Sequence, residues 1–218
     1  MTILYEDNHL LVALKDAFIL SQSDGSSTSD MLTILKKYLK DKYNKPGNVY
    51  LGLVHRLDKE VGGVMVFAKT SKAARRLSED IRLHKFEKYY LAVVKGRVES
   101  STYKDKILRE EYQSKVDKNG KDAVLSFETL EVLNNNSLVK INLLTGRHHQ
   151  IRVQFSSRGH YLLGDTRYGK KGEYPLALYA YHLAFYHPIT KEKLVFENIP
   201  SEGYFSKFNV KELLKRQK

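Results

Sequence analysis

The sequence predicts an α+β fold: one domain built on a long, mainly antiparallel mixed sheet flanked by helices and loops. Three observations carry this. Strand-like runs outnumber helical ones and do not alternate with them regularly, which argues against a doubly wound parallel sheet. Turn signals such as Asn119-Gly120 and Asn134-Asn135-Asn136-Ser137 punctuate those runs. The 218 residues, 42% hydrophobic and 28% charged, are enough for a substantial core.

Ile3-Leu4-Tyr5 and Leu10 to Leu14 flank Glu6-Asp7-Asn8-His9 and read as a hairpin. Residues 21–29 are a Ser/Gly/Asp-rich loop. Met31, Leu32, Ile34, Leu35, Tyr38 and Leu39 recur at helical spacing behind the capping signal Thr28-Ser29-Asp30. Leu51 to Lys69 reads as strand, turn, strand, with Gly62-Gly63 supplying a bend or close backbone approach. Ser71 caps a second helix that carries Ala73, Ala74, Leu77 and Ile81. Its other positions hold Lys72, Arg75, Arg76, Arg82, Lys85 and Lys88.

Tyr89 to Val94 is a strand, and Asp117-Lys118-Asn119-Gly120 carries a hairpin signal. Val124 to Leu133 and Leu138 to Leu144 are strands around the asparagine turn. Arg147 to Arg158 reads as a short helix stopped by Gly159. Leu183 to Tyr186 and Lys193 to Phe196 are the last strands. The domain is expected to cover 1–210, with 211–218 a basic tail dispensable for the core.

Lys plus Arg total 37 against 25 Asp plus Glu, a formal charge of +12. Such an excess favours a polyanionic partner, because each neutralised phosphate releases condensed counterions. The chain has no cysteine, which excludes disulfides, thiolate catalysis and Cys-ligated zinc. The first residues form no signal peptide and no apolar run reaches membrane-spanning length, so a cytoplasmic location is expected.

Two segments gather polar residues where a packed domain prefers apolar ones. The first is His55-Arg56-Leu57-Asp58, ahead of Gly62-Gly63 and the apolar run to Ala68. The second is Thr145-Gly146-Arg147-His148-His149-Gln150-Ile151-Arg152, followed by Gly164-Asp165-Thr166-Arg167-Tyr168-Gly169. On a helix, His148 and His149 would share a face with Arg152. The histidines lack HExxH spacing, so no metal site is expected.

Together with Tyr90-Leu91-Ala92-Val93-Val94-Lys95-Gly96, the opening Tyr5-Glu6-Asp7-Asn8-His9 and the late Tyr186-His187-Pro188, these segments resemble the motifs of the RluA family of RNA pseudouridine synthases. They follow the family's order across nearly the whole chain. The resemblance implies a pseudouridine-synthase catalytic domain standing alone, without an S4 domain. It implies isomerisation of uridine to pseudouridine in ribosomal or transfer RNA, without cofactor or metal, by a monomer. Asp58 takes the place of the nucleophile, Tyr90 that of the active-site tyrosine and Arg152 that of its basic partner. Arg56 matches the arginine that enters the space of the flipped base. RNA contacts are further expected from His55, Arg147, His149 and Gln150, from the helix face of Lys72, Arg75 and Arg76, and from the loop at Tyr103 to Lys121.

The chemistry needs these residue types. A carboxylate can trap C1′ or add to C6 of the pyrimidine while the uracil is detached and rotated. Burial would raise its pKa from about 3.9, and a guanidinium holding it bidentately would oppose that rise. The phenol of Tyr90 offers a flat face and a proton acceptor. A stacked uridine must first be flipped out.

The chain departs from the family pattern at Val61-Gly62, where Thr-Ser is common, and at Gln154 and Tyr179, where His is usual. Lys15-Asp16-Ala17-Phe18 replaces Lys-Pro-x-Gly. These changes are expected to touch the rim and RNA contacts more than catalysis. Two other readings compete: a catalytically silent RNA-binding or ribosome-assembly factor, and a carboxylate-based hydrolase with Asp165 as second acid.

Overall fold

The computed structural model describes residues 2–216, in two compact units. The first comprises residues 2–86 and 182–197, the second 87–181 and 198–216. The first holds β1 (Ile3–Glu6), β2 (Leu10–Lys15), α1 (Met31–Lys42), β3 (Gly52–Leu53), β4 (Gly62–Ala68) and α2 (Ser71–Arg82). The second holds β5 (Glu87–Lys95), β6 (Ser101–Arg109), β7 (Ser114–Val116), β8 (Lys121–Leu133), β9 (Asn136–Leu143) and α3 (Gln150–Ser156). Strand β10 (Leu178–Tyr186) passes from the second unit into the first, β11 (Lys193–Glu197) pairs with it, and α4 (Val210–Lys215) follows. The α+β class and the mainly antiparallel sheet are as expected.

In the first unit β2 pairs antiparallel with both β1 and β4. Strand β4 is buried along its whole length, which explains its unbroken apolar run. Alternate residues Leu10, Val12, Val64 and Val66 form a core with Ala73 and Leu77 of α2 and Phe86. Helix α1 begins where Asp30 accepts a hydrogen bond from Thr33 N–H. The cap of α2 is Thr70, one residue earlier than expected, with its hydroxyl accepting from Ala73 N–H. That helix stops at Arg82, so Lys88 lies on β5 and not on its basic face.

The β1–β2 turn is tied down by two carboxylates. Glu6 accepts from Tyr38, Tyr43, Lys42 and Lys69, at 2.7 to 2.9 Å. Asp7 accepts from Tyr5 and from His187 Nε2, while His187 Nδ1 accepts from Ile189 and Thr190 N–H. Burial pushes the Glu6 pKa up, but its four donors outweigh that and bring it down to about 2. A depressed carboxylate pKa stabilises the fold above its unfolded value and stops doing so as pH falls through the folded one. Glu6→Gln is therefore expected to lose roughly 2 to 3 kcal/mol at pH 7 and to flatten the acid limb between about pH 4.5 and 2. Urea unfolding across that range reads both.

In the second unit the order is β5-β9-β8-β6-β7, antiparallel throughout. Asn134 and Asn135 both adopt positive φ in the tight β8–β9 turn. Three sequence expectations change here. The segment Tyr103 to Lys121, expected as a loop, is mostly strands β6 and β7. Asn119-Gly120 does not close a hairpin between adjacent strands. Strands β7 and β8 lie on opposite edges of β6, and residues 117–120 carry the chain from one edge to the other. Glycine is required there, because a Cβ on Gly120 would lie 2.3 Å from the Ile107 carbonyl carbon. Finally, the tail is not outside the core: α4 covers Val210–Lys215, with Val210 buried and Leu213 and Leu214 packed beside Phe205 and Phe208. Gln217 and Lys218 lie outside the described residues.

Cross-strand neighbours Tyr90, Ile141 and Phe127 share one face of this sheet. Helix α3 packs on that face through Val153 and Phe155, whose ring meets Tyr103 and Phe127 at 5.1 and 4.9 Å. The opposite face takes Leu91, Val93 and Leu138 against the segment from Tyr204 to Val210.

Candidate active site

Asp58 sits in the irregular stretch between β3 and β4, half-buried, with Arg56 exposed and Leu57 buried beside it. The stretch is braced from the segment that follows β2. Ser21 Oγ donates to Leu57 O at 2.8 Å and accepts from Leu57 N–H at 3.1 Å. Phe18 N–H donates to Lys59 O at 2.7 Å. Lys15 Nζ, at the inner end of β2, donates to Asp16 O, Lys59 O and Val61 O. Val61 N–H closes a turn on Asp58 O at 3.0 Å. Behind the loop, His55 Nε2 accepts from Val66 N–H at 3.1 Å, so His55 anchors the stretch to β4.

Lys15 was not among the expected site residues. It is 1% exposed, and burial pushes its pKa down to about 8, against the pull of the Asp58 and Asp16 charges. Its signal was a lysine that ends the apolar run Leu10-Leu11-Val12-Ala13-Leu14. Three carbonyl acceptors keep the ammonium in place. The brace also carries a strained residue. Phe18 has φ +69°, a left-handed conformation that costs a bulky residue about 1 to 2 kcal/mol.

In the second unit Tyr90 and Arg152 belong to the same side of the sheet, the one that α3 covers. Tyr90 is buried, 8% exposed. Arg152, also buried, forks onto Asp165 through Nε and Nη2, both at 2.8 Å. Asp165 takes the fork because it stands at a turn whose Arg167 and Tyr168 N–H groups also point at Oδ1. Burial raises the Asp165 pKa, and the guanidinium and the two amides more than reverse it. The Tyr168 ring lies 5.3 Å from the guanidinium carbon.

The histidines are arranged differently from the sequence expectation. Helix α3 begins at Gln150, and His149 precedes it in a left-handed conformation, φ 54°. His148 and His149 therefore do not share a helix face with Arg152. They stack at 3.7 Å, with His148 Nδ1 bonded to Ser114 Oγ and His149 Nδ1 to the Tyr168 hydroxyl. Gln150, expected at the RNA, is 3% exposed. Its Oε1 accepts from Thr145 and Arg147, and its Nε2 donates to Val124 O, so it is a buried clamp. Arg147 is half-buried and donates from Nε to Asp122 O. On α2, Lys72 and Arg75 are exposed, while Arg76 donates to Pro188 O. Gln154 is fully buried and donates to Asp105 and Ala123 O, so this departure belongs to the core and not to the rim.

The fold is that of a pseudouridylate synthase. The human RNA pseudouridylate synthase domain containing 4 superposes with a TM-score of 0.79 at 21% identity, over 98% of this chain and 92% of that one. The chain belongs to the RNA pseudouridylate synthase family, whose profile matches residues 9–157, and to its RluA type. An uncharacterized RNA pseudouridine synthase of Aquifex aeolicus is 36% identical over 96% of this chain and 72% of its own length. The ribosomal large subunit pseudouridine synthase D of Zymomonas mobilis is 34% identical over 90% of this chain and 68% of its own. The protein is thus an enzyme that isomerises uridine to pseudouridine in RNA. No helix among the described residues is long and apolar enough to cross a membrane.

Proposed function

We propose that this enzyme converts a uridine of large-subunit ribosomal RNA to pseudouridine with Asp58 as nucleophile, Tyr90 as proton acceptor and Arg152 as the basic partner. The observation that carries the reading is the bracing of the Asp58 stretch by Ser21, Lys15 and Phe18, which holds a half-buried carboxylate in one place. The ribosomal target rests on the name of the Zymomonas relative. In the reaction the N1–C1′ bond breaks, the detached uracil turns, and C5 bonds to C1′. The C5 proton then leaves, the phenolate form of Tyr90 being a suitable acceptor, and N1 ends protonated. Both routes open to the carboxylate, trapping C1′ or adding to C6, need it ionised. Exposed Arg56 fills the stack that the flipped base leaves, and exposed Lys72 and Arg75 meet phosphates. All the proposed residues come from one chain, so a monomer suffices, working in the cytoplasm where ribosomes are.

The test is conversion by the purified chain of an unmodified large-subunit ribosomal RNA transcript, with a transfer RNA transcript in parallel. Carbodiimide-dependent primer-extension stops are expected on the first. Stops on the transfer RNA alone would overturn the ribosomal target. Salt-sensitive binding with no stop on either transcript would favour a silent RNA-binding factor.

A further inference from the structure

Seven non-glycine residues adopt positive φ among those described, and six are asparagine, histidine or lysine. The seventh, Phe18, is bulky and apolar, and it is 51% exposed. Single exposed apolar side chains are common on protein surfaces and by themselves mean little. A left-handed backbone is different, because glycine would adopt it without strain. Strain retained at one residue beside a functional loop points to use of that residue.

Its surroundings say which use. The Phe18 amide is bonded to Lys59 O, one residue past Asp58. Arg56 and Lys59, on either side of Asp58, are exposed as well. An RNA strand that reaches Asp58 therefore meets two cations, suited to phosphate, and one flat apolar ring. Unpaired bases stack on such rings whatever their identity. We propose that Phe18 is the stacking platform for an unpaired nucleobase adjoining the target uridine. The proposal rests on the pseudouridine-synthase reading for its substrate.

The full-length chain carrying Phe18→Gly, Phe18→Leu or Phe18→Trp is compared with wild type in three measurements. These are thermal melting, binding of a fluorescein-labelled twelve-residue oligouridylate, and steady-state kinetics on the ribosomal RNA transcript. Phe18→Gly is expected to melt no lower than wild type while binding the oligonucleotide about ten-fold more weakly. KM should rise by a similar factor with kcat within about two-fold. Phe18→Trp should restore binding, and Phe18→Leu should behave like the glycine variant. Unchanged oligouridylate binding in Phe18→Gly overturns the proposal. So does wild-type binding by Phe18→Leu, which would mark a generic apolar contact such as a protein partner's. The binding assay needs no turnover. A wild-type chain that forms no pseudouridine but loses oligouridylate on Phe18→Gly would refute the catalytic reading and leave the platform standing.

Discussion

Replacing Asp58 by asparagine or alanine is expected to abolish pseudouridine formation, lowering kcat by roughly four orders of magnitude or more. The carboxylate is the one group in the proposed mechanism that forms a bond to substrate, and an amide oxygen cannot take its place. The loop itself should survive. Its brace uses Ser21 Oγ, Lys15 Nζ and the Phe18 amide against main-chain atoms of Leu57, Lys59 and Val61, none of which the substitution removes. Oligouridylate affinity should therefore stay close to wild type. Aspartate variants that modify the transcript as fast as wild type would sink the assignment.

The second large effect concerns stability. Asp165→Ala leaves the Arg152 guanidinium in a buried site without its bidentate partner, and strips the Arg167 and Tyr168 amides of an acceptor. Breaking a buried pair from one side costs about 3 to 5 kcal/mol, because the buried guanidinium loses the carboxylate it forks onto. Replacing both partners together, Arg152→Met with Asp165→Leu, should recover much of that loss while leaving the enzyme inactive. Urea unfolding midpoints of the single and double variants provide the check. A single variant within about 1 kcal/mol of wild type would mean that the pair is far better hydrated than its burial indicates.

Much of the first unit was legible because β2 and β4 are buried on both sides and its helices carry recognisable caps. The run at β4 and the Asp30 cap of α1 needed only local pattern. Strand β6 was not legible: Ser101–Arg109 alternates charged and polar residues along an exposed face and buries only Ile107. Of the proposed site, Asp58, Tyr90 and Arg152 were picked out through motif resemblance. What held them was hidden. Asp165 and Lys15 act through contacts made by residues distant in sequence, and sequence spacing does not reveal such partners. The histidine pair failed for a local reason: the helix was extended backwards through His149, whose left-handed backbone cannot belong to it.

The crossing at residues 117–120 has a consequence for how the second unit assembles. Because β6 lies between β7 and β8, and Gly120 rests on its backbone at Ile107, the strand is threaded into a fixed slot. Sliding β6 by one residue would turn its buried Ile107 outward and bring a different stretch of backbone under the crossing. Register errors open to an ordinary edge strand are thereby closed, and β6, β7 and β8 can reach their native alignment only together. We expect these three strands to gain hydrogen-exchange protection in a single kinetic phase during refolding.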